Sequence, residues 1–193
     1  IGVGLVGSEM CIRDRLAMGT FDDVNAISKI AVNTHLAGAA GTVAGATITR
    51  LMAGKTDIVM MLNGALAGLV AITAEPLTPS PLLAILIGFV GALIMYFGTK
   101  FLESQRLDDV VGAIPVHMFA GIFGTLVVPA SNPETNFGTQ FLGVISVCVF
   151  SFVLSYFVFR SMKATIGLRI SKEAEKLGTD KAEVGVVAYS IRD

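Results

Sequence analysis

The sequence holds two histidines, the side chains best suited to passing a proton near neutral pH, since an unperturbed imidazole titrates at ~6.5. One of them, His117, stands inside the apolar run Leu107-Asp108-Asp109-Val110-Val111-Gly112-Ala113-Ile114-Pro115-Val116-His117-Met118-Phe119-Ala120-Gly121-Ile122-Phe123-Gly124-Thr125-Leu126. Read as one helix opened by the two aspartates, this stretch puts His117 about 13 Å in, at ~1.5 Å per residue, near mid-depth of a ~30 Å hydrocarbon layer. Ionisable groups at that depth are costly and line cavities or ion and proton paths. His117 is therefore the candidate functional residue. His35, in Asn33-Thr34-His35-Leu36-Ala37-Gly38, lies near a helix entrance, where a partnered or interfacial histidine is the simpler reading.

Other chemistries find no support. Cys11 and Cys148 are too few and too differently placed for a disulfide or metal framework. No nucleophile and base set, phosphate-binding glycine loop or metal-ligand spacing occurs, so neither an enzyme, a cofactor nor a metal site is expected. The net charge is −1 and the pI near 6.1. With the seven cationic residues from Arg160 onward interleaved with acids, no basic stripe offers a nucleic-acid surface.

The elements that must position His117 read as membrane helices. Hydrophobic residues make up 53% and charged ones 15%, with 21 glycines in 193 residues and a mean hydropathy of +0.74. Apolar segments of about 20 residues follow one another, as bilayer-spanning helices do. The first is expected over Ala26–Thr49, with Asp22 or Asp23 as cap; Gly41 and Gly45 form a Gly-x-x-x-Gly pair, which lets helix backbones approach in lipid. The second, Asp57–Ala74, repeats that spacing at Gly64 and Gly68, and its polar points, Asn63 and Thr73, either bond neighbouring helices or, for Thr73, line a pore. Three prolines in 75–81 force a loop. The third helix is expected over Leu82–Thr99. The His117 helix, with small residues at Gly121 and Gly124, is the fourth, ending at Pro129. The fifth, Phe137–Phe159, is aromatic and lipid-facing, and a short helix follows Ser171 in a charged tail.

Residues 1–15 fit none of this. Their charges follow the apolar run, the reverse of a signal peptide, and they resemble a translated adapter read-through. The domain reading is thus a foreign-looking 1–15, a membrane domain over 16–166 and a tail over 167–193. Beyond residues 1–15, Lys and Arg fall at Arg50 and Lys55, at Lys100 and Arg106, and in the tail, with Lys29 the one mild exception, whereas loops 75–81 and 130–136 carry none. The positive-inside rule places the tail in the cytoplasm and gives five crossings of a cell membrane.

Several ordered motifs then carry a family resemblance: Asn33-Thr34-x-Leu36-Ala37-x-Ala39, Asn63-Gly64-Ala65-Leu66-Ala67-Gly68-Leu69-Val70-Ala71-Ile72-Thr73, the Asp108-Asp109 stretch leading to Val116-His117, and Gly167-Leu168-Arg169-Ile170 onward to Gly185 and Ala188-Tyr189. Over residues 16–193 the chain resembles the C-terminal half of an ammonium transporter of the Amt/Rhesus type. The resemblance implies an all-α membrane protein with an eleven-helix fold of inverted repeats, of which this chain would hold the last five helices. It also implies a homotrimer with one pore per subunit, surrounded by membrane lipid. His117 matches one of the family's two pore histidines; Thr73, Leu66 and Ala113 are the pore-lining candidates beside it, and Gly41, Gly45, Gly64, Gly68, Gly121 and Gly124 the packing glycines. His35 falls in a different helix from the other pore histidine.

Gly112 stands where many members carry an acid, Pro115 where glycine is common, and Glu183-Val184-Gly185-Val186 where the tail usually reads Glu-His-Gly-Glu. The expected function is passage of ammonium or ammonia for nitrogen uptake, with residues 16–193 inactive alone and a cytoplasmic regulatory protein as a partner at the tail. An ammonium sensor signalling through the tail, or a carrier for another small solute, are the alternatives.

Overall fold

The computed structural model describes residues 20–186; the 1–15 segment and the Ala188-Tyr189 end of the tail lie outside them. Among the described residues every regular element is helical. In chain order these are α1 (Phe21–Ala53), α2 (Ile58–Ile72), α3 (Pro81–Ser104), α4 (Ile114–Ala130), α5 (Phe137–Thr165) and α6 (Lys172–Leu177), followed by a π-helical turn at Asp180–Val184. Helices α3 and α5 are long and apolar enough to cross a membrane, whereas α2 and α4 are apolar but shorter.

Capping chemistry explains where the boundaries move from expectation. Helix α1 outruns Ala26–Thr49 at both ends because Thr20, not an aspartate, is its N-cap. The Thr20 hydroxyl accepts from Asp23 N and the Asp23 carboxylate from Thr20 N, each at 3.2 Å, a capping box that satisfies two otherwise orphaned donors. At the other end Gly54, at φ +71, donates its N–H to Arg50 O. Asp57 caps α2 by accepting from Met60 N at 3.0 Å. Ser80 caps α3, with Pro81 in the first turn, where no backbone N–H is needed. Helix α3 ends with Leu107 N donating to Leu102 O and Arg106 N to Glu103 O, the Schellman pattern; Arg106 takes the left-handed position, at φ +58.

The 75–81 connection is a loop, and it is stapled. Fully buried Asn33 donates from its amide to Pro76 O and Pro79 O, both at 2.9 Å, and the Glu75 carboxylate accepts from Leu77 N and Thr78 N. The Asn33 bonds satisfy two carbonyls, and the Glu75 bonds two N–H groups, that burial would otherwise strand.

The chain divides into two compact units, Ile1–Ile145 and Ser146–Asp193. In the first, α1 packs on α2 and α3, α2 on α3, and α4 lies against α2 and α3. The α1/α2 contact is backbone on backbone: a Cβ on Gly64 would stand 2.5 Å from Gly41 O, one on Gly45 2.7 Å from Met60 O, and those on Gly41 and Gly68 would strike Gly64 O and Ala37 O. Where lipid removes the hydrophobic drive between helices, such close approach is what holds them together. In the second unit, Ser171 caps α6 by accepting from Ala174 N at 3.1 Å.

Candidate functional site

The stretch 107–112, ahead of the His117 helix, is not helical. Gly112 takes φ +72, a left-handed bend that breaks the run, and α4 starts at Ile114 with Pro115 in its first turn. The expected rise from Asp108 is thereby corrected: His117 lies three residues past Ile114, about 4.5 Å along the axis rather than 13 Å. Asp109 acts instead as a cap from outside. Its two carboxylate oxygens accept from Ala113 N at 2.9 Å and Ile114 N at 2.8 Å, charge-assisted bonds at the positive end of the helix dipole. Val116 N then donates to Gly112 O at 3.2 Å.

From Ile114 to Phe119 the helix is π-helical, tightening to α over Ala120–Val127 and to a 3-10 turn at Val128–Ala130. A π turn inserts a residue, turns the face before it by about 100° relative to the α-helix after it, and recurs at functional sites. The space for it comes from α3, where Gly98 lies under the Phe119 ring and a Cβ there would approach Pro115 Cβ to 3.4 Å.

Buried positions recur every fourth residue, at Val116, Ala120, Gly124 and Val128. Val116 and Ala120 share a core cluster with Ala67 of α2 and Met95 of α3. His117 and Met118 fall off that seam and are exposed. Among the described residues no hydrogen bond reaches the His117 imidazole. His35 differs: its Nδ1–H donates to Ala31 O at 2.7 Å, one turn back in its own helix.

The remaining candidates are distributed as follows. Ala113 is exposed just ahead of the π turn, and Leu66 is 40% exposed on α2. Thr73, seven residues on from Leu66 and so on the same helix face, is half-buried and donates its hydroxyl to Leu69 O at 2.6 Å. Gly41, Gly45, Gly64 and Gly68 meet backbone, and a Cβ on Gly124 would strike Ala71 O. Gly121 departs from them: a Cβ there would meet only Val70 Cγ1, at an ordinary 3.5 Å, so no backbone approach depends on it.

The profile described as the Ammonium Transporter Family matches residues 17–189. The chain belongs to the ammonium transporter family. It is 40% identical over 183 residues to ammonium transporter Amt2 of Archaeoglobus fulgidus, covering 84% of this chain and 39% of that one. It is 37% identical over 167 residues to a putative ammonium transporter of Synechocystis, covering 84% and 38%. Among solved structures it resembles a protein described as a sensor Amt protein, with TM-score 0.75, 30% identity and coverage of 82% of this chain and 42% of that one. Mep2 of Candida albicans shares the fold, with TM-score 0.72, 24% identity and coverage of 83% and 40%. The chain thus spans about two fifths of the relatives it matches.

Within this ammonium transporter family chain, two parts of the site escaped the sequence. One is the tie from Asn63 Nδ2 to Val111 O, 3.0 Å long and 48 residues apart, which no local pattern announces. The other is the start of α4, which Pro115 does announce, because proline is at home in a first helical turn and not inside a helix.

Proposed function

We propose that this chain supplies one wall of an ammonium-conducting pore, with His117 on the path of ammonia and its proton. The observation that carries the reading is the exposure of His117 on a π turn whose neighbours Pro115 and Val116 are buried, in a chain of the ammonium transporter family. An apolar lumen penalises any hydrated ion. Ammonium resembles potassium in size but can give up a proton, so an imidazole that hydrogen-bonds ammonia and exchanges protons favours ammonium without admitting potassium.

In this reading α1 to α5 are five crossings, the C-terminal part of an eleven-helix protein with inverted repeats. Ala113, Leu66 and Thr73 line the lumen, Gly41, Gly45, Gly64, Gly68 and Gly124 pack the wall, the protein is a homotrimer in the cell membrane, and the 167–193 tail meets a regulatory partner in the cytoplasm. Residues 16–193 alone leave the pore half-built and do not transport. The experiment replaces His117 by Ala or Asp in the complete transporter carrying this chain, and measures methylammonium uptake with potassium in competition. Loss of flux or of selectivity is expected, with His35→Ala milder; equal effects of both changes remove the reason for singling out His117. The similarity to a protein described as a sensor favours one second reading, in which the same helices bind ammonium and the tail signals, and uptake that stays negligible in the unaltered protein would favour it.

A further inference from the structure

Asn63 stands on α2 one residue before Gly64, where α2 meets α1 backbone to backbone. Its Nδ2 donates to Val111 O at 3.0 Å. The same nitrogen lies 2.7 Å from the point where a Cβ on Gly112 would stand. The amide therefore fills the space over the bend and pulls on the carbonyl just before it. Gly112 O, in turn, accepts from Val116 N, while Asp109 closes the following turn by accepting from Ala113 N and Ile114 N. His117 comes next after Val116. The bonds that Ala113 N, Ile114 N and Val116 N donate at the start of the π turn thus all reach residues 109–112, and the Asn63 side chain ties that segment to α2.

We propose that Asn63 is a positioning residue for His117: its amide clamps the Val111–Gly112 bend and so sets the direction in which the π turn presents the imidazole. This rests on the reading of His117 as a pore residue. Asn63 and Gly112 form a matched pair, since the amide occupies the room that a side chain at 112 would need. A single bond of this kind is worth about a factor of ten or less in an equilibrium, so its loss loosens the turn without unfolding it.

The test uses the complete transporter carrying this chain in lipid vesicles, with methylammonium uptake and potassium permeation measured per amount of inserted protein. N63A and N63D are expected to lower maximal methylammonium uptake roughly three- to tenfold, with the half-saturating concentration changed less than about twofold, and to lower the ratio of methylammonium to potassium permeation. N63D matters because it keeps the size of asparagine but removes the donor, so a packing role would spare it. N63S keeps a donor of shorter reach and is expected to recover part of the loss. Unchanged uptake in N63D, or reduced uptake with the ion ratio intact, overturns the proposal. H117A is the separate arm: if it leaves both uptake and the ion ratio unchanged, the pore reading itself falls, whatever the Asn63 variants do.

Discussion

The contact between α1 and α2 makes a sharp prediction about Gly64→Ala. The added methyl would sit 2.5 Å from Gly41 O and 3.2 Å from Gly45 Cα. A carbon and a carbonyl oxygen come no closer than about 3.3 Å even in their weak hydrogen bonds. The helices must therefore part locally by about 0.8 Å, since the atoms it meets are backbone and cannot turn away as a side chain could. A gap of that size forfeits a quarter to a half of each dispersion contact along the seam, and overpacking of a tight core costs about 1–3 kcal/mol. Gly121→Ala is the internal control. Its methyl meets only Val70 Cγ1 at 3.5 Å, so it gains the helix propensity of alanine over glycine, about 0.5–1 kcal/mol, without a clash. Thermal unfolding of the complete transporter in detergent reads both: Gly64→Ala melts several degrees lower, Gly121→Ala level with the unaltered protein or higher. Equal shifts of the same sign would refute the claim that backbone contact, rather than glycine content, holds the two helices.

Arg106→Gly relieves a left-handed residue at φ +58 and is expected to stabilise by about 1 kcal/mol, read as a higher melting temperature. Asn33→Leu strands the Pro76 and Pro79 carbonyls that its amide now satisfies; about 2–4 kcal/mol of stability should be lost by the same measurement. Ser171→Ala removes the cap that accepts from Ala174 N. Because α6 has only six residues, a loss of about 1 kcal/mol should release it, seen as faster amide hydrogen exchange over Lys172–Leu177.

The helices that are apolar throughout were legible from the sequence, since long uniform hydropathy and the proline-rich 75–81 break are local signals. So were the two Gly-x-x-x-Gly pairs, because a spacing of four on each helix leaves one smooth face. Boundaries shifted where a cap lay beyond the apolar run, as Thr20 does for α1. The approach to His117 misled for a different reason. Asp108 and Asp109 imitate a helix start, yet Asp109 caps from four and five residues away, across a bend at Gly112 to a helix whose start Pro115 marks. The Asn63 tie is tertiary, and the π turn depends on room left by Gly98 on another helix. Neither has a one-dimensional signature.

The glycine seam between α1 and α2 also bears on motion. A surface made of backbone has no rotamers, so its formation costs no side-chain entropy, whereas an ordered methionine or lysine gives up as much as about 2 kcal/mol. For the same reason it has no means of adjusting: a side-chain interface absorbs a push by rotamer exchange, but here Gly41, Gly45, Gly64 and Gly68 transmit it directly. Helices α1 and α2 thus behave as a single stiff girder over the length of the seam. Asn63 stands one residue from that contact line, so the bend it grips is tied to the part of the bundle with the least room to adjust.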